Sequence, residues 1–187
     1  MEKYKCNFKS KKEYLAADFV DLASDSPVTE GLPRPDVGGD ALRSIVKREE
    51  NRVYFAFAYF ANSNHEEDLI FNLWQVAIVD AFYESLHCNL IKIAAAEGKE
   101  LSPLYGPGYF SMPLAEAATV LEKAGAEEIG ITVNEFSVMV PPVSRCGFFV
   151  LNSRKNAEYE TQCEFCKGNK SSCSMCWIFA DRSKNSS

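Results

Sequence analysis

The chain is short of positive charge. In 187 residues, 20 Lys and Arg stand against 26 Asp and Glu, a formal charge of −6 at pH 7. A general nucleic-acid binder needs a basic face to displace counterions, and a polybasic membrane anchor needs one too, so the charge balance argues against both classes. Long hydrophobic runs are also missing. The longest, residues 53–61, falls far below the roughly 20 apolar residues that span a bilayer. The opening stretch MEKYKCNFKSKKEYL is polar and basic and lacks the apolar segment of a signal peptide. No G-x-S-x-G elbow, phosphate loop, H-E-x-x-H helix or dinucleotide fingerprint occurs, so generic hydrolase, kinase and dehydrogenase readings have no support. Of the two histidines, His65 reads as a surface residue. His87 adjoins Cys88 in sequence, but neighbouring helical residues do not face each other, which argues against a Cys–His catalytic pair.

What is present is a globular composition. Hydrophobic residues make up 47% and aromatics 12%, which excludes global disorder. The length fits one domain with a small appendage, and folding at this size buries roughly 70% of the unfolded surface. The seven cysteines are Cys6, Cys88, Cys146, Cys163, Cys166, Cys173 and Cys176. The expected compartment is a reducing cytoplasm, where clustered cysteines read as metal ligands rather than disulfides.

Residues 11–24 show helical spacing through Leu15, Phe19, Val20 and Leu22, which predicts a helix. Residues 24–40 hold three prolines and three glycines and read as a loop. Residues 41–51 read as a short helix after an Asp40 N-cap. RVYFAFAYFA, from Arg52, alternates large residues with alanines and predicts a buried strand. Ser63 followed by Glu66 forms a capping box, with Glu67 and Asp68 also suiting the positive end of a helix dipole. From there to Gly98 no proline or glycine intervenes. Ile70, Leu73, Trp74, Ala77, Ile78 and Ala81 follow one stripe, carried on by Phe82, Leu86, Leu90 and Ile93. This predicts a helix of about 30 residues, long against the usual ~11–12. Asp80 and Glu84, one turn apart, either line a site or form a solvated stripe, and the stripe is the preferred reading.

Residues 99–113 read as a Gly/Pro/Tyr loop. Pro113 opens a second helix that Gly125 closes, residues 129–140 read as one or two strands, PPVSRC as a turn and GFFVLN as a strand. The fold class expected is α+β: an antiparallel or mixed sheet packed on a long central helix, over residues 1–152. Residues 153–187 are polar and cysteine-rich, with too few aliphatics to bury a core, so a metal would have to hold them.

That tail carries C-x2-C-x6-C-x2-C: Cys163, Cys166, Cys173 and Cys176. Each C-x2-C pair lets two thiolates reach one metal from a tight turn, and four soft ligands suit an iron–sulfur cluster or zinc. The spacer is shorter than the ~15–20 residues of common zinc ribbons and does not match the bacterial ferredoxin run. An iron–sulfur cluster is the preferred reading, with a structural zinc knuckle as the alternative. Cys88 and Cys146 read as buried structural thiols.

Pro107, Gly108 and Tyr109 open a P-G-Y-x-x-x-P-L run ending at Pro113 and Leu114. This run resembles the loop in the activation domain of cobalamin-dependent methionine synthase and its free-standing relatives. The order of elements around it is similar: a long helix before, a helix from Pro113, then IGITVNEFSVMVPPVSRCG. In that last stretch Ile129, Gly130, Thr132, Met139, Pro141, Ser144 and Gly147 match the family pattern. The resemblance covers about residues 50–152, and several free-standing relatives look as if they too end in a cysteine-rich tail. It implies an activation-domain-like fold in which the Gly-Tyr loop lies against S-adenosylmethionine and the domain docks on a corrinoid protein or corrinoid methyltransferase that presents cobalamin. Pro107, Gly108 and Tyr109 are then the cofactor-binding residues. One departure stands out: the family's Arg four residues before the Gly, which helps hold the cofactor's carboxylate, is Leu104 here, and the loop has no basic residue. Two readings follow, an accessory protein for corrinoid activation and a non-catalytic binding module with a degenerate site. A small-molecule methyltransferase is disfavoured, because no glycine-rich loop follows a strand.

Overall fold

The computed structural model describes residues 11–62, 68–109 and 112–152. Cys6, Ser63, His65, Glu66 and Glu67, and the tail with Cys163, Cys166, Cys173 and Cys176, lie outside them. The described chain is α+β. Five strands form an antiparallel sheet in the order β1–β2–β3–β7–β4. They are β1 (Lys11–Leu15), β2 (Ala41–Glu49), β3 (Arg52–Phe60), β4 (Glu100–Leu101) and β7 (Ser144–Asn152). A separate hairpin pairs β5 (Thr132–Val133) with β6 (Met139–Val140). Three helices accompany them: α1 (Val20–Ala23), α2 (Leu69–Ala96) and α3 (Ala117–Ala124).

The alternation in β3 explains the layering. Side chains on a strand point to opposite faces in turn, so one run can serve two packing layers. Phe55, Phe57 and Tyr59 face α2, whereas Tyr54, Ala56 and Ala58 face α3. On the α2 side the aromatics interlock: Phe82 of α2 lies 4.9 Å from Phe57, 5.2 Å from Tyr14 and 5.1 Å from Phe19, ring centre to ring centre. Such pairs add about 0.5–1.5 kcal/mol each beyond the area they bury. On the α3 side the alanines leave room for Val120, Leu121 and Ala124 to close on the sheet. Because both faces are covered, β3 is buried along nearly its whole length.

Residues 41–51 are a strand, not the expected helix. Leu42, Ile45 and Val46 fall at i, i+3 and i+4, which imitates a helical stripe. β2 nevertheless pairs with β3 along its full length and with β1 at one end. Those ladders, and the burial of Leu42 and Ile45 on opposite faces, override the local pattern. Asp40 is not a cap. It is 1% exposed, and its carboxylate accepts hydrogen bonds from the Tyr59 hydroxyl at 2.6 Å and the Asn62 amide at 2.7 Å.

The expected helix over 11–24 is corrected in its first half. Lys11–Leu15 pair with Ala41–Ile45 as β1. Only Ala16–Ala23 coil, as a 3₁₀ turn running into α1, and they bury Phe19 and Val20. Residues 24–40 form the expected irregular connection, tied to α2 where the Trp74 indole donates to the Pro33 carbonyl at 2.9 Å.

The long helix spans 28 residues. Its N-cap is Asp68, whose carboxylate accepts from the Ile70 and Phe71 amides, so the helix begins after the expected Ser63–Glu66 box. The buried stripe shifts by one residue at each end: Phe71 and Ala94 are buried while Ile70 and Ile93 face outward. Beyond it, residues 99–113 are not wholly a loop, because β4 pairs with the end of β7. Nor is PPVSRC wholly a turn: Ser144, Arg145 and Cys146 already belong to β7. The second helix forms as expected, with a 3₁₀ turn after Pro113 leading into α3 and Gly125 at φ 75° closing it. No helix among the described residues is long and apolar enough to cross a membrane.

Candidate functional site

The segment after β4 is laid against β7 by backbone hydrogen bonds. The Ser102 amide donates to the Val150 carbonyl at 2.9 Å, and the Ser102 hydroxyl accepts from the Val150 amide at 2.8 Å. Tyr105 and Phe148 exchange a pair of backbone bonds at 2.9 and 2.8 Å. Gly147 lets this segment approach. A Cβ there would lie 2.5 Å from Leu104 Cδ1 and 2.8 Å from the Tyr105 carbonyl oxygen, closer than side-chain carbons come.

The chain then turns at the expected site. Pro107 and Gly108 occupy the two central positions, and the Tyr109 amide donates to the Gly106 carbonyl at 2.9 Å across the turn. Gly108 has φ 84°, the pattern of a type II turn, where a Cβ is disfavoured. The Gly108 amide is held by the Met112 carbonyl at 2.9 Å. Pro107, Gly108 and Tyr109 are therefore brought together in one ordered turn at the rim of the sheet. The Tyr109 ring lies over Gly106, 3.7 Å from where a Cβ would stand there, and 42% of the residue is exposed.

Beside this turn lies a cluster built from α2 and β7. Arg145 Nη2 sits 2.6 Å from Asp80 Oδ1, and its guanidinium carbon lies 4.6 Å above the Tyr83 ring. Burial, joined by the nearby Glu84 and Tyr109, pushes the Tyr83 phenol well above its ordinary range, against the opposing pull of Arg145. One turn further along α2, His87 stacks between Tyr83 at 5.8 Å and Phe149 at 5.3 Å. Burial lowers its pKa from the ordinary 6.5, partly opposed by Glu84. Cys146, beside Arg145 on the opposite face, is buried and its thiol is pushed up to about 12, so it holds its proton at neutral pH and is no nucleophile.

Leu104, which stands where the resembled family has its Arg, is 4% exposed and packed into the α2-side core. Arg145 and Tyr83 are the functional candidates that sequence reading misses, because PPVSRC reads as a turn. The available signal was strand alternation: residues 145, 147 and 149 share one face, so an arginine follows that face to its open end. Asp80 is an ion-pair partner rather than part of a plain solvated stripe.

Cys88 is half-buried in α2. Among the described residues no group of three or more His, Cys, Asp or Glu side chains converges as a metal site, and the four-cysteine motif lies outside them. An open groove of about 510 Å³ between α3 and β5, lined by Leu121, Glu122, Gly125, Glu128 and Ile131, shares no residue with the turn. No protein-family model matches the chain, and no curated protein matches it.

Proposed function

We propose that this chain is an accessory protein for the reductive activation or handling of a corrinoid-dependent methyltransferase, acting in the cytoplasm. In this reading the 1–152 body has the activation-domain-like fold and docks on a corrinoid protein, and S-adenosylmethionine lies against Pro107, Gly108 and Tyr109. The observation that carries it is the turn itself. A proline and a positive-φ glycine bring bare backbone and one exposed aromatic ring to the rim, where the resemblance implies that the adenosyl ligand lies. The donor chemistry of the tail fits an iron–sulfur cluster held by Cys163, Cys166, Cys173 and Cys176, since four thiolates satisfy its irons. When bound, the cluster supplies electrons and S-adenosylmethionine supplies a methyl group that traps the reduced corrinoid. The chain's own part is to hold the turn rigid, present Tyr109 and position the tail at the partner.

The test is purification of the full chain without oxygen, followed by metal analysis, a visible spectrum and electron paramagnetic resonance after reduction. Iron with sulfide and a reducible cluster signal is the expected result. A colourless protein with stoichiometric zinc overturns electron delivery. The buried Leu104 favours a second reading, a non-catalytic binding module with a degenerate cofactor site and a structural zinc knuckle. Zinc together with no calorimetric heat from S-adenosylmethionine is the outcome it requires.

A further inference from the structure

A ligand bearing an amino-acid carboxylate needs a fork-shaped donor to hold it tightly. No residue between Ser102 and Pro113 is basic, and Leu104 is buried in the core. The sheet brings a guanidinium beside this segment from 39 residues beyond Gly106. Gly106 is flush with β7, since a Cβ on it would lie 3.1 Å from the Cys146 carbonyl oxygen. The next residue back along β7 is Arg145, whose side chain crosses to α2 and rests on Tyr83. Its guanidinium face and one nitrogen are held, by the Tyr83 ring and by Asp80. Asp80 is its one hydrogen-bonding side chain among the described residues, and 29% of the Arg145 side chain is open to solvent. A guanidinium has five N–H donors, so a second edge remains for an anion. Asp80, with 48% of its side chain exposed, keeps a negative oxygen within reach of the same opening.

We propose that Arg145 is the carboxylate-holding residue of the surface formed by α2, β7 and the Pro107–Tyr109 turn, and that the ligand taken there carries a free α-amino-acid group. The carboxylate meets the open edge of the guanidinium. The ammonium faces Asp80, so the zwitterion matches the charge pair already in place. The separate rings of Tyr83 and Tyr109 border the apolar remainder of the ligand. This rests on the reading of the turn as an adenosyl-contacting loop, and it assigns the ligand's charged end to a residue outside that loop.

The experiment is calorimetry on the full chain with S-adenosylhomocysteine and with 5′-methylthioadenosine, two thioethers that differ by the amino-acid group. Wild-type protein is expected to bind the first at least about tenfold more tightly, as the loss of a charge-assisted fork implies. Arg145→Gln should erase that preference while leaving 5′-methylthioadenosine unchanged. Arg145→Lys, which keeps the cation over Tyr83 but not the fork, should retain a fraction of it. Equal affinity of the two ligands for wild type overturns the proposal. So does an Arg145→Gln variant that keeps the preference, or one that loses both ligands equally, the mark of a merely structural role. Absence of heat with both ligands in wild type removes the loop reading and this assignment together, which separates that failure from the others.

Discussion

Gly147→Ala tests whether the candidate turn is held by the close approach of two backbones. The added Cβ would stand 2.5 Å from Leu104 Cδ1, 2.8 Å from the Tyr105 carbonyl oxygen and 3.3 Å from Phe55 Cζ. Leu104 can rotate, but it is 4% exposed and has little free volume to enter. The Tyr105 carbonyl cannot move without stretching the paired bonds to Phe148. Overpacking of this kind costs about 1–3 kcal/mol. Each backbone bond weakened adds about 1 kcal/mol. Against this, alanine restricts the unfolded chain and returns about 0.4–1 kcal/mol, since Gly147 does not occupy the positive-φ region. The net is a loss of about 2 kcal/mol, which for a body of this size lowers Tm by roughly 4–8 °C. Thermal melting by circular dichroism measures it, and hydrogen exchange at the Tyr105 and Phe148 amides locates it. The amides should lose protection while α3 keeps its own. An unchanged Tm with unchanged protection at both amides would refute the reasoning, because the steric limit at Gly147 would then be absent.

Two further outcomes are expected. His87 is held neutral by burial in the folded protein, below its ordinary 6.5, so the unfolded chain takes up its proton first as pH falls. Stability from this residue is present above about pH 6.5 and is lost as pH falls toward the folded-state value, and His87→Gln should flatten the fall in Tm between about pH 7.5 and 5.5. Parallel pH profiles for the two proteins would contradict this. Tyr59→Phe removes the donor to Asp40 Oδ2 in a site where Asp40 is 1% exposed, and should cost about 1–3 kcal/mol in urea unfolding. Paired with Asp40→Ala, its cost should be far from additive, and simple additivity would show that the two side chains act independently.

Much of the fold was legible where one element carries its own signal. The long helix, α3 with Pro113 before it and Gly125 behind, the β3 run and strand character within residues 129–140 all follow from periodicity and punctuation, whereas the pairing of β5 with β6 is seen only in the structure. Lys11–Leu15 and residues 41–49 were not legible, because each becomes a strand only through a partner distant in sequence. A helical spacing of Leu42, Ile45 and Val46 is cheap to produce by chance over nine residues. The energy of a full-length ladder with β3 outweighs it.

The candidate site divides along the same line. By itself the sequence determined the Pro107–Gly108–Tyr109 turn, since proline and glycine dictate backbone angles locally, and it determined the four-cysteine spacing of the tail. Only the tertiary structure decided that Leu104 is buried, that Gly147 admits the turn against β7, and that Arg145 stands beside Asp80 and Tyr83. Those facts depend on which strand lies next to which. Register between strands is a property of the assembled sheet rather than of any one segment, and a shift of one residue would have turned Arg145 to the opposite face.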